Sequence, residues 1–196
     1  MSTQSLACVA SSVVSYCYAA GMRVSSCAEI TMMHPHGCGM FPQIGAVFID
    51  TPSGREHVLE RWIVMFSRQE LPSHIQLGRL GDISVLRGSL FSAIDASEPQ
   101  HFRAGEHIVI PTSSSVQFQA AEEGCILRTR VSSQERNAFQ WSTLPDARIV
   151  RYETFSLTDG IFLPILGCMQ PRRMGQDNCG LAERDVSRYT EQEACL

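Results

Sequence analysis

The chain contains no lysine: all 16 of its basic residues are arginine. A Schiff base, a pyridoxal anchor, a P-loop lysine and a kinase-type lysine all need an ε-amino group, so those chemistries are excluded. Charge is sparse, at 18% of the 196 residues, and the net charge is −4 with no basic block. A nucleic-acid partner is therefore not expected. Cys-x-x-Cys pairs are absent. Four of the eight cysteines crowd into the first 38 residues, which is not the spacing of a disulfide scaffold. Free thiols and a cytoplasmic location are the expectation. No Gly-x-Ser-x-Gly elbow and no Gly-x-Gly-x-x-Gly fingerprint occurs, so a serine hydrolase and a dinucleotide-dependent oxidoreductase lack support. Long apolar runs are missing too. The stretch from Leu6 to Ala20 is too short and too polar to span a membrane. It also lacks the basic start of a secretory signal, since the first arginine is Arg23. It reads as a tail or a packing helix.

What is present is a series of short apolar runs punctuated by turn residues. Ala46–Asp50, Glu60–Ser67, Ile83–Leu86, Ser89–Ile94, His107–Ile110, Val116–Ala120 and Cys125–Val131 follow one another at spacings near ten residues. Gly54, Gly88, Gly105 and Pro111 stand between or beside them. That texture predicts an all-β sandwich or barrel, and the lack of a helix–strand alternation argues against a parallel α/β sheet. Weaker strand patterns recur at Ala147–Phe155 and Gly160–Leu166, and Glu183–Ala194 reads as a short exposed helix or a disordered tail. The expected organisation is an N-terminal arm over 1–40, a barrel core over 41–135 and a C-terminal extension over 136–196.

Within the core, His74-Ile75-Gln76 is followed after four residues by Gly81 and after six more by Gly88. Gly105 is followed after five residues by Pro111. In these spacings the chain resembles the cupins, whose two motifs carry a His-x-His pair, a Glu and a later His on a double-stranded β-helix. The segments Val85-Leu86-Arg87-Gly88-Ser89-Leu90-Phe91 and Glu122-Glu123-Gly124-Cys125 are similar to those of the ChrR-like cupin subfamily. The resemblance implies a cupin-type double-stranded β-helix, a jelly-roll barrel with extensions at both ends. It also implies a homodimer, since such proteins often pair through their arms.

Residues two apart on a strand share a face, so the family's His-x-His pair aims two imidazoles at one metal. Here His74 stands at the first ligand position, Gln76 replaces the second, Gly81 stands where the Glu belongs, and Val116 falls at the last His position. Asp82 reaches the Glu position only through a bulge. The expectation is therefore loss of the metal, no cofactor, and a pocket for a small, mostly apolar organic substrate. His74 and Gln76 are the candidate catalytic pair. The first moves a proton, and the second, or an arginine turned inward from among Arg61, Arg87, Arg128 and Arg130, stabilises developing negative charge. Trp62, Phe66, Asp82, Val116, Phe118 and Arg128 are the candidate substrate contacts. The reaction type implied is isomerase, cyclase or lyase chemistry, with a biosynthetic pathway as a natural setting. Two alternatives stand beside it. One is a metal-dependent dioxygenase of small carbonyl compounds, using His74 with Asp82 or His107. The other is a non-catalytic ligand-sensing module.

Each residue also has a plainer reading. His74 serves equally as a buried, hydrogen-bonded core residue, Gln76 as a structural amide, and Trp62 and Phe66 as core packing. The trio His34, His36 and Cys38 has metal-like spacing, but no second pair accompanies it. His101 and His107 flank a turn and are expected at the surface, and Cys125 is expected as a buried small hydrophobe.

Overall fold

A computed structural model describes residues 3–34, 41–141, 151–158 and 161–165. Among the described residues one helix, α1 (Thr3–Ala19), is followed by eleven strands. They are β1 (Glu29–His34), β2 (Ala46–Pro52), β3 (Val58–Met65), β4 (Glu70–Gln76), β5 (Ile83–Ile94) and β6 (Gln100–Arg103), then β7 (His107–Ile108), β8 (Val116–Ser132), β9 (Phe139–Trp141), β10 (Arg151–Thr158) and β11 (Ile161–Ile165). The all-β expectation holds. The runs at 83–86 and 89–94 are one strand, β5, and those at 116–120 and 125–131 are one strand, β8.

Strand β8 organises the barrel. Along one edge it pairs antiparallel with β5 over most of its length. Along the other it pairs with β3 through Cys125–Ser132, then with β4 through Val116–Gln119. One half of the barrel therefore runs β10-β1-β2-β3-β8-β5, and the other runs β9-β4-β8-β5-β6. The fold is an all-β, antiparallel sheet curled into a half-barrel. The corner between its halves depends on glycine. Gly88 (φ 70°) and Gly124 (φ 73°) both adopt left-handed backbone, and a Cβ on Gly88 would lie 1.9 Å from the Gly124 carbonyl oxygen. Only residues without a side chain let the two backbones meet this closely.

Two buried clusters occupy opposite faces of the sheet. The inner one includes Phe48, Ile63, Met65, Leu71, Val85, Leu90, Val116, Phe118 and Leu127. The outer one joins Ile30, Met32, Val47, Ile49, Val64 and Ile126 to Val13 and Cys17 of α1. Val13, Tyr16, Cys17 and Ala20 recur at helical spacing, which gives α1 the stripe it lays on the sheet. Full burial of Val13 alone contributes about 1.5–3 kcal/mol. Gly21 (φ 74°) ends the helix in the left-handed cap that glycine favours, with the Met22 N–H donating to the Cys17 carbonyl at 2.9 Å. The segment before residue 41 thus supplies more than an arm. It carries the packing helix and also β1, which lies between β2 and β10 in the sheet. The region after 135 likewise supplies β9, paired with β4. The expected element at Glu183–Ala194, and His36 and Cys38 of the possible metal trio, lie outside the described residues.

Candidate active site

Strand β4 positions His74 through an irregularity. Leu71 pairs with Phe118 and His74 with Val116, so the register shifts between them. Pro72, which has no N–H to give the ladder, sits in that shift. Leu71 and His74 are three residues apart and would face opposite sides of a regular strand, yet both are buried, at 0% and 2% exposure. The bulge turns His74 inward, and Gln76, two residues on, follows it.

Inside, His74 is surrounded by rings. Its centroid lies 6.3 Å from Phe118, 5.3 Å from Phe139 and 5.2 Å from Trp141. Phe139 also stacks on Trp141 at 5.4 Å and on Phe48 at 5.5 Å. The His74 Nδ1 lies 2.7 Å from the Pro72 carbonyl oxygen. A carbonyl only accepts, so Nδ1 carries the proton and the neutral ring keeps its lone pair on Nε2. Burial lowers the imidazole pKa to about 4, with the Arg79 charge pushing the same way and the Pro72 bond opposing. At neutral pH the ring is an uncharged base of fixed tautomer.

The other polar groups of the barrel differ in availability. The Gln76 amide N–H donates to the Arg136 carbonyl over a long 3.4 Å. Arg61 is the arginine that turns inward, but its guanidinium is fully occupied. Nε and Nη2 donate to the two Asp50 carboxylate oxygens at 2.7 and 2.6 Å, and Nη1 donates to the Arg136 carbonyl at 2.5 Å. The guanidinium also lies 4.5 Å from the Phe48 ring centroid. Ser92 is the opposite case. Its side chain is buried, and Oγ has no hydrogen-bond partner among the described residues. Ser92 pairs with Phe118, which pairs in turn with Leu71 of β4, so it stands on the same inner wall as His74, two strands across and offset along the strand direction. Beside this wall a cleft of about 330 Å³ opens between Gln76, Arg79, Asp82, Ile110 and Pro111. Arg79 holds its two sides together by donating to the Gly81 and Ile110 carbonyls.

Of the expected site residues, the structure brings His74, Gln76, Val116 and Phe118 into the barrel interior. Trp62 and Phe66 are a correction. On β3 the inward positions are Arg61, Ile63 and Met65, so Trp62 takes the opposite parity, and both aromatics pack in the outer cluster near α1. Arg128 is a correction as well: it follows the inward Leu127 and is exposed on the outer face. Asp82 is exposed in the turn before β5, where its backbone carbonyl accepts from Thr129, so no bulge brings it to His74. Among the described residues no three His, Cys, Asp or Glu side chains gather where they could hold a metal ion. His107 is exposed and contacts Ser84 rather than His74. Cys125 is buried as expected, and burial raises its thiol to about 12, so it does not act as a nucleophile. Phe139, Trp141 and Ser92 were missed by sequence reasoning. The alternation Phe139-Gln140-Trp141 was the legible signal for the first two, and a lone serine carries none.

No known family profile matches the chain, and no curated protein matches it. Solved structures of similar shape do exist. The polyketide cyclase RemF from Streptomyces resistomycificus is 20% identical, over 53% of this chain and 78% of its own, with a TM-score of 0.45. An uncharacterised protein with a double-stranded β-helix domain from Klebsiella pneumoniae is 15% identical, over 50% and 85%, with a TM-score of 0.42. A cupin domain from Schizosaccharomyces pombe is 13% identical, over 47% and 69%, with a TM-score of 0.39. No helix among the described residues is long and apolar enough to cross a membrane.

Proposed function

We propose that the barrel is a cupin-type enzyme that works without a metal on a small, mostly apolar organic molecule by proton transfer, as an isomerase, cyclase or lyase. The observation that carries this reading is His74: a buried, neutral imidazole whose Nδ1–H is held by Pro72 and whose surroundings are Phe118, Phe139 and Trp141. In the simplest case Nε2 takes a proton from carbon beside a substrate carbonyl. The C–H electron pair moves to the carbonyl oxygen and forms an enolate. The imidazolium then returns the proton at another atom, so no redox partner is needed. Burial makes the imidazolium a stronger acid than it is in water, which suits fast return of the proton and a short-lived intermediate. The enolate oxygen needs a hydrogen-bond donor, and with Arg61 tied to Asp50 the groups left for that task are the Gln76 amide and the Ser92 hydroxyl. The aromatic walls fit a planar apolar body. Pairing into a homodimer belongs to the same proposal, and sedimentation of the full chain tests it.

A second reading, a ligand-binding module without catalysis, is favoured by the same depressed pKa of about 4, because a ring that stays neutral can accept a ligand's hydrogen bond at Nε2 without taking its proton. The test uses acetophenone in D₂O. Wild-type protein should accelerate deuterium exchange at the methyl group, His74→Gln should abolish the acceleration, and prior treatment with EDTA should leave it unchanged. Exchange that persists in His74→Gln, or that EDTA removes, overturns the catalytic reading. Binding of acetophenone without exchange supports the module instead.

A further inference from the structure

Outside the barrel, a cleft of about 370 Å³ lies between the β2–β3 turn, the start of β5 and the outer side of β8. Arg55 enters it from the turn, and Arg128 and Arg130 enter it from β8, where residues two apart share a face. All three are exposed, and among the described residues none of their guanidinium groups has a hydrogen bond or an ion pair. Carboxylates are within the same cleft, yet they turn elsewhere. Glu60, directly across from Arg130, accepts from the Trp62 indole N–H at 3.0 Å. Asp82 sits on the turn that separates this cleft from the one beside Gln76, where it acts electrostatically on Arg79. Three guanidinium groups thus line one cleft together with two carboxylates, which leaves a net positive charge, and none of the three is taken up by an ion pair. In a chain whose sparse positive charge is all arginine, this cleft gathers three of the cations, and an anionic ligand would offset the excess. A planar guanidinium binds carboxylate and phosphate oxygens in pairs, which a lysine cannot do.

We propose that Arg55, Arg128 and Arg130 form a binding site for a small organic dianion, a dicarboxylate or a phosphate monoester. This site is on the outer face of the sheet and does not depend on the chemistry assigned to the barrel. The cleft's volume is at the low end for small-molecule sites, which limits the ligand to a compact molecule.

Calorimetric titration of the full chain at constant ionic strength tests it, with malonate and inorganic phosphate as the two anion probes, malonamide as the uncharged control and chloride as the blank. One or both anions should bind saturably, and the tighter one identifies the class. Arg128→Gln and Arg130→Gln should each weaken binding by about tenfold, the loss expected for one charged hydrogen-bonding partner. Circular dichroism should show both variants folded. The proposal is overturned if neither anion binds above the chloride blank, if malonamide binds as well as malonate, or if affinity survives in the double variant.

Discussion

The two halves of the barrel treat buried polar groups in opposite ways. In the half built on β2 and β3, Arg61 and Asp50 are directly paired across strands and both are almost fully buried, at 0% and 3% exposure. Every part of that guanidinium has a partner. In the half built on β4 and β9, the buried groups include an uncharged His74, a loosely held Gln76 and a Ser92 without a partner among the described residues. An ion pair taken out of water is tolerable only when each charge is matched, so the first half is closed to ligands. Neutral groups cost less to bury and leave lone pairs and donors for something else. The contrast is the reason the proposed chemistry is assigned to the second half.

Breaking the closed half should have the largest effect. Arg61→Ala leaves the Asp50 carboxylate buried and alone, and should cost about 3–5 kcal/mol in denaturant unfolding. Replacing both partners, with Asp50→Leu and Arg61→Met, should recover most of that loss. If the single variant proves nearly neutral, the two halves do not differ as described.

The open half should reveal itself through pH. The folded imidazole of His74 titrates near 4, against 6.5 when unperturbed, so between those values the unfolded chain binds a proton that the folded chain refuses. The stability of burying the neutral ring is complete above 6.5 and is lost as pH falls toward 4, by about 3 kcal/mol. Unfolding of wild type and His74→Gln across this range measures the term directly. The variant's stability should fall less steeply with acid, and parallel curves would show that His74 is not buried neutral.

Ser92→Ala should act in the other direction. Removing a hydroxyl that has no partner should raise stability by about 1 kcal/mol, while weakening acetophenone binding or exchange. A loss of stability would show that Oγ has a structural bond and would remove it from the site. The smallest effect belongs to the outer face, where Arg128→Gln should change stability by no more than about 0.5 kcal/mol.

Much of this was legible in the chain itself. The spacing of turn residues specified β2, β3, β5, β7 and β8, because strand period and turn chemistry are local properties, but it did not mark β4 or β6 as strands. Gly88 was readable as a break between apolar runs. What it permits, the passage of one backbone against Gly124, was not readable, because the contact joins residues far apart in sequence. His74 was identified by its place in a family motif, but its inward direction depends on the bulge at Pro72.

By itself, then, the sequence determined the strand class, the absence of amine chemistry and the singular position of His74. The first two follow from composition and from periods of two residues, and the third from the resemblance to a family motif. Tertiary structure decided which side of each strand faces the barrel. It sent Trp62, Phe66 and Arg128 outward, and it brought Phe139 and Trp141 from beyond the expected core to stand around the imidazole. A single register shift reverses a side chain's face, and a strand's partner is set by distant residues, so neither is written in local pattern.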